Sequence, residues 1–272
     1  MPRKLGLIAG GGILPRRLYE SACYSGRDVF ILALQEQAHP DWLHNLPHHW
    51  VRLGAVGEAI EQLKANGCQD VVMAGQVKRP GLLELRPDWR GARLLARTGA
   101  GLLGDDGLLR AIRQELESEG FTVLGPQDVL GDLLMPAETL TQRVPTAEEL
   151  QDIDRGLAIL RHMGQLDIGQ SVIVQQGLVL GVEAIEGTAA LIQRCAAYAR
   201  PGRGGVLVKI SKPEQDKQLD TPAIGPDTIA QCQQAGLVGI ALEAGGALLL
   251  EREQTLKRAD AANLFITGLA PG

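Results

Sequence analysis

Several short stretches of this sequence set charged residues directly after an apolar run. The stretch "KISKPEQDKQLDTPAIGPDT" (209–228) crowds Lys209, Lys212, Lys217, Asp216 and Asp220 into a proline-bounded loop. Mixed charge of this density can bind an anion while positioning a water or a metal. A solvated loop of weak ion pairs accounts for the same composition. "VEAIEGT" (182–188) adds Glu183 and Thr188, and "LEAGG" (242–246) adds a third acidic strand end. In the first half, "AGQVKRPG" (74–81) delivers Gln76, Val77, Lys78 and Arg79 together. A compact ammonium beside a planar guanidinium suits phosphate oxygens. An exposed basic turn is the plain alternative. Asp105 and Asp106 open a helix-like segment. They are either caps that favour the helix dipole or carboxylates for Mg²⁺, which takes one or two carboxylates plus phosphate oxygens and water.

The turn "LGLIAGGGILPRRL" (5–18) joins an apolar run to Gly10, Gly11 and Gly12 and then to Pro15. Strand, glycine loop and helix in this order can turn backbone N–H groups toward a phosphate. A tight turn without a ligand is equally simple. The dinucleotide fingerprint wants a further glycine where Pro15 stands, although proline suits a first helical turn. A nucleotide-dependent oxidoreductase or transferase would also need an acidic residue at the end of the second strand, and Glu36 alone occupies that place.

The elements that must position these loops follow from periodicity. Strands are predicted over 5–8, 29–34, 50–53 and 70–73, with helices from Pro15 and over 56–66 that stop at Gly26 and at Asn66–Gly67. This rhythm predicts a parallel sheet, whose ligands sit at the carboxyl ends of strands. Periodicity lapses over 129–145, where Gly131, Pro136 and Pro145 suggest a linker. Beyond it come a helix from Ala147, strands over 171–175 and 178–184, a helix from Thr188 and a strand over 205–210. A helix from Pro226, a strand over 238–242, an apolar run over 247–250, a helix from Arg252 and a strand over 264–267 complete the pattern. The fold class is α/β: two mixed α/β domains, 1–132 and 140–272, joined by a short linker.

With 272 residues, 45% hydrophobic and 22% charged, the composition is that of a globular protein of one large or two ordinary domains. The net charge of −5 offers no global field for nucleic acid. Residues 168–182 form the longest charge-free stretch, but glutamines interrupt it, and it falls short of the ~20 apolar residues of a membrane span. No leader is recognised, so a cytoplasmic protein is expected. Cys23, Cys68, Cys195 and Cys232 form no C-x-x-C pair and are expected to be reduced core thiols. His44 and His48 share helical spacing, but Pro47 lies between them, a poor pattern for a metal pair.

In one order across nearly the whole chain, "KLGLIAGGGILP", "VVMAGQVKRP", "GDDGLLR", "VVQQGLVLGVEAIEGT", "GVLVKISKPEQDKQLDTPAIGPDTI" and "GIALEAGGALLLERE" resemble the single-chain UDP-2,3-diacylglucosamine pyrophosphatase family of lipid A biosynthesis. The His and Asp metal motifs of the calcineurin-like enzymes that perform the same step are missing. The resemblance implies a Mg²⁺-dependent hydrolase, with Mn²⁺ as a substitute, that splits UDP-2,3-diacylglucosamine into UMP and 2,3-diacylglucosamine 1-phosphate, lipid X. It implies a substrate cleft between the two domains and water attack on the lipid-side phosphorus. The matching positions are Gly10 to Gly12, Gln76 to Arg79, Thr188 and Lys209 for substrate, Asp105 and Asp106 for metal, and Glu183, Lys212, Asp216 and Asp220 for catalysis. One position departs: the family continues "EGT" with Asp, whereas Ala189 stands here, which is expected to weaken turnover if that carboxylate helps hold the metal.

A diacylated substrate must hide its chains. Leu82, Leu83, Trp89, Leu94, Leu95, Leu102 and Leu103, expected in an irregular segment, suit such a lining, although ordinary core packing accounts for them too. Arg86, Arg90, Arg93 and Arg97 suit peripheral contact with anionic lipid of the inner membrane. A glycolipid carrier without catalysis is the non-enzymatic alternative. A homodimer is compatible with the chain, but no interface is legible.

Overall fold

The computed structural model describes residues 2–77, 87–98, 105–130, 133–166, 168–211 and 222–270, with the side chains of residues 98, 105 and 106 excepted. Two compact units divide after Gly131.

The first unit runs β1 (Leu5–Ala9), α1 (Leu14–Tyr24), β2 (Val29–Leu34), a 3-10 turn (Pro40–Trp42), β3 (His48–Val51), α2 (Val56–Ala65), β4 (Asp70–Ala74), α3 (Trp89–Thr98), α4 (Asp105–Ser118), β5 (Thr122–Leu124) and α5 (Pro126–Val129). Its five strands are all parallel in the order β3-β2-β1-β4-β5. The runs "VFILAL" and "DVVMA" lack polar alternation because helices cover both faces of such a sheet. Strand order reverses between β1 and β4, so the glycine turn after β1 and the loop after β4 meet at the topological switch point.

In the second unit α6 (Ala147–Gln165) precedes β6 (Ser171–Gln175), β7 (Leu178–Val182), α7 (Gly187–Cys195), β8 (Val206–Lys209), β9 (Ala223–Ile224), α8 (Pro226–Gln234), β10 (Gly239–Glu243), β11 (Leu248–Leu249), α9 (Arg252–Ala261) and β12 (Phe265–Leu269). The sheet order is β12-β10-β8-β6-β7, with β8, β10 and β12 parallel and β6 antiparallel to both neighbours. Alternation sorts its residues: Ile173, Leu207, Ile240, Leu242 and Ile266 pack with Leu191, Ile229 and Cys232, while Val172, Val174, Val206, Val208 and Phe265 pack with Ile153 and Leu160. Thr146 and Glu149 close a capping box that starts α6.

Three local expectations change. β3 begins two residues early, because the Pro47 carbonyl accepts from Ile31 N–H and opens the pairing at His48. His48 lies in this strand, and its Nδ1 meets the Leu46 carbonyl at 2.9 Å. Residues 89–98 form helix α3 rather than an irregular strip. The segment expected as linker is fastened to the second unit: Leu140 N–H donates to Ile266, Thr139 Oγ1 lies 2.8 Å from Thr267 Oγ1, and Met135 is buried in the core. This chain covers the edge strand β12, which would otherwise leave backbone groups unpaired.

Candidate functional site

In the first unit Gly10 and Gly11 lie against neighbouring backbone. Gly10 N–H donates to the Ala74 carbonyl, Gly11 N–H donates to Gln76 at 2.8 Å, and Gln76 N–H returns to Gly11 at 2.9 Å. A Cβ on Gly10 would stand 2.7 Å from the Gln76 carbonyl oxygen, and one on Gly75 would stand 2.6 Å from that of Gly11. The loops after β1 and β4 thus cross in contact, and two of the three amides expected to face a phosphate are engaged within the chain. Gly12 differs: its φ is +84°, and open space lies where a side chain would start. It borders a shallow pocket of about 320 Å³ with Ile13, Arg16, His39, Asp41 and Trp42. Gln76 and Val77 are exposed. Glu36 sits in an exposed left-handed turn after β2, φ +62°.

In the second unit, polar residues converge at one end of the sheet. β7, β8 and β10 end there, and β6, being antiparallel, begins there. Ser171 pairs with Lys209, and Lys209 with Leu242. Lys209 Nζ donates to Thr188 Oγ1 at 2.8 Å, Thr188 donates to Glu183 Oε2 at 2.9 Å, and Ser171 Oγ lies 3.2 Å from Thr188 Oγ1. A hydroxyl has one proton and two lone pairs. With its proton on the carboxylate and one lone pair taken by the ammonium, the Thr188 oxygen takes the Ser171 proton on the other. Glu183, Lys209 and Ser171 are all buried. A buried ammonium and carboxylate are tolerated when hydrogen bonds satisfy them, and the shared Thr188 hydroxyl supplies one such bond to each.

The adjoining loops are fastened to this cluster. Glu243 Oε2 accepts from Ser211 N–H at 2.9 Å, and Ser211 Oγ donates to the Gly246 carbonyl at 2.8 Å. Glu186 accepts from Arg194 at 2.8 Å, which clamps the turn between β7 and α7. Its own backbone N–H and then Arg194 hold the Glu186 carboxyl below its ordinary value.

Of the sequence candidates, Glu183, Thr188 and Lys209 are therefore in contact, and the end of "LEAGG" is tied to the residue two beyond Lys209. Asp105 and Asp106 occupy the first two positions of α4. Lys78, Arg79, Lys212, Asp216 and Asp220 lie outside the described residues. Among the described residues no group of three or more His, Cys, Asp or Glu side chains is placed to hold a metal. Sequence reasoning missed Ser171 and Ser211. Ser171 is the one polar residue opening the apolar run "SVIVQ", a signal that acquires meaning only from its pairing with Lys209. Cys23 departs from the expected core role and is exposed, while Cys68, Cys195 and Cys232 are buried. Burial pushes the Cys68 thiol up to about 11 and the Cys232 thiol up to about 12.

Fold and site define a two-domain α/β protein whose polar cluster lies at the ends of parallel strands. Residues 4–133 match the LpxI N-terminal domain and residues 136–267 the LpxI C-terminal domain. The UDP-2,3-diacylglucosamine pyrophosphatase LpxI of Caulobacter vibrioides is 42% identical over 99% of this chain and 98% of its own length. The chain belongs to the LpxI family. Among solved structures, N5-carboxyaminoimidazole synthase from Aspergillus clavatus shares 16% identity, with 72% of this chain and 43% of that one covered, at a TM-score of 0.27. This chain spans less than half of that enzyme.

Proposed function

We propose that this protein hydrolyses the pyrophosphate bond of UDP-2,3-diacylglucosamine, releasing UMP and lipid X, in lipid A biosynthesis. The observation that carries the reading is the 42% identity, over 99% of the chain, to a protein named for action on this substrate. The reaction requires charge neutralised on two phosphates and a water held in line. A lysine and a carboxylate locked through one hydroxyl at a strand end are suited to that task. Water oxygen bonds to the lipid-side phosphorus, the anhydride bond breaks, and UMP leaves with the bridging oxygen.

Lys209 supplies a positive charge whose position Thr188 fixes. Glu183 balances that charge and orients the hydroxyl. Lys78 and Lys212 steady the phosphates, and Asp216 or Asp220 orients the water. The donor set is oxygen only, which suits a hard cation such as Mg²⁺ or Mn²⁺, and Asp105 and Asp106 would hold it. When bound, the cation supplies further charge neutralisation at phosphate oxygens. Ala189, exposed in the first turn of α7, brings no carboxylate to this end of the sheet.

The dinucleotide alternative loses its support at the glycine turn, where Gly10 and Gly11 N–H groups are bonded to the chain itself. The carrier alternative is separated by experiment. UMP release is followed for this protein and for Ala189→Asp, with Mg²⁺ and with EDTA. Release that EDTA abolishes and Ala189→Asp accelerates is the expected result. Release undiminished in EDTA removes the metal from the account. Stoichiometric lipid binding by both proteins without UMP makes the chain a carrier.

A further inference from the structure

Helix α3 carries a face with no partner among the described residues of its own unit. Its inner side is anchored: Gly91 and Leu94 are buried, and the Asp88 carboxylate accepts from Gly91 N–H at 2.7 Å and from Gly57 N–H of α2 at 2.6 Å. Arg90 is held on the flank by Glu119 at 2.5 Å and Glu115 at 3.7 Å, with its guanidinium 5.4 Å from the Trp89 ring centre. It is therefore not a surface-seeking cation. At 100° per residue, Trp89, Ala92, Arg93, Ala96 and Arg97 fall on one outward arc. All five are exposed, Trp89 to 67%. Among the described residues Arg93 and Arg97 make no hydrogen bond or ion pair, and the arc contains no acidic residue.

We propose that this arc of α3, Trp89 with Arg93 and Arg97, docks on the surface of an anionic phospholipid leaflet. Charge complementarity selects the partner. The chain as a whole is acidic, at −5, yet this face presents two uncompensated guanidinium groups beside an indole. An indole prefers the boundary between headgroups and acyl chains, and arginines beside it meet lipid phosphates. The two alanines let the helix lie close. The choice of lipid rather than another polyanion rests on the diacylated substrate of the proposed function; the geometry of the face does not.

The test is co-sedimentation of the full chain with phosphatidylcholine vesicles, with and without about one-third phosphatidylglycerol. Binding to the anionic vesicles alone, weakened by salt and accompanied by a blue shift of tryptophan emission, is expected. Each arginine contributes about fivefold to such partitioning, so Arg93→Gln with Arg97→Gln lowers it about 25-fold. The matched Arg155→Gln with Arg161→Gln on α6 leaves it unchanged. Trp89→Phe removes the spectral shift. Equal binding by the α3 pair, or equal binding to neutral vesicles, overturns the proposal. So does a face that binds no vesicle but mediates self-association abolished by Trp89→Ser. Hydrolysis of detergent-dispersed substrate is measured in parallel. Vesicle binding without hydrolysis removes the proposed function and leaves the docking face, and hydrolysis without vesicle binding does the reverse.

Discussion

Lys209 Nζ donates to Thr188 Oγ1 at 2.8 Å, and this bond joins the end of β8 to the first turn of α7. Because Thr188 donates onward to Glu183, the ammonium and the carboxylate are coupled through one proton-bearing atom. Removing that atom leaves two buried charges imperfectly satisfied.

Thr188→Val therefore lowers kcat for UMP release by roughly 10-fold to 100-fold, as expected for a hydrogen bond to a charged group worth about 1.5–3 kcal/mol. Thr188→Ser keeps the hydroxyl and retains most of the activity. Ser171→Ala loses only the neutral bond that orients Thr188, worth about 0.5–1.5 kcal/mol, and falls by roughly 2-fold to 12-fold. Steady-state kinetics on the three variants checks the order. A Thr188→Val enzyme as fast as the parent removes the hydroxyl from the scheme.

Gly10→Ala places a methyl group 2.7 Å from the Gln76 carbonyl, across the crossing of two loops. The backbone must shift, at a cost of about 1–3 kcal/mol, read as a lower urea midpoint.

Thiol accessibility divides the cysteines. At about pH 8 a thiol raised to about 12 is ionised in only about one molecule in ten thousand, and burial shields Cys68, Cys195 and Cys232 in any case. Titration with a disulfide reagent is expected to modify Cys23 rapidly and the other three only after unfolding.

The Glu186 clamp is acid-sensitive. Its folded carboxyl titrates below the ordinary 4.5, so its contribution is complete above that value and is lost as pH falls through the lower, folded one. Amide exchange in the turn before α7 is expected to accelerate over that acidic interval beyond the intrinsic pH effect. Glu186→Gln abolishes the extra acceleration.

The strands at 29–34 and 171–175 are legible from sequence at their observed bounds because each is a short apolar run between turn residues. α3 is not, because among its residues of described burial, 89–97, only Gly91 and Leu94 are buried, too few to mark a helical period. In the site, Glu183 and Lys209 stand out as polar residues at the ends of apolar strands, and Thr188 as the hydroxyl that opens the following helix. Ser171 does not, since its meaning depends on a register with a strand almost forty residues away. The glycines at 10–12 are conspicuous in sequence, yet the reason for Gly10 and Gly11 is nonlocal: backbone of Gly75 and Gln76 lies against the first, and of Gln37 and Gln76 against the second. Periodicity reports what a residue buries, whereas these features report what another segment brings to it.

Hydrolysis of UDP-2,3-diacylglucosamine in ¹⁸O-labelled water, followed by mass analysis of both products, tests the central claim most directly. One ¹⁸O in the phosphate of lipid X, with unlabelled UMP, is the predicted result. Label in UMP would place the attack on the other phosphorus, and the absence of either product would contradict the hydrolase itself.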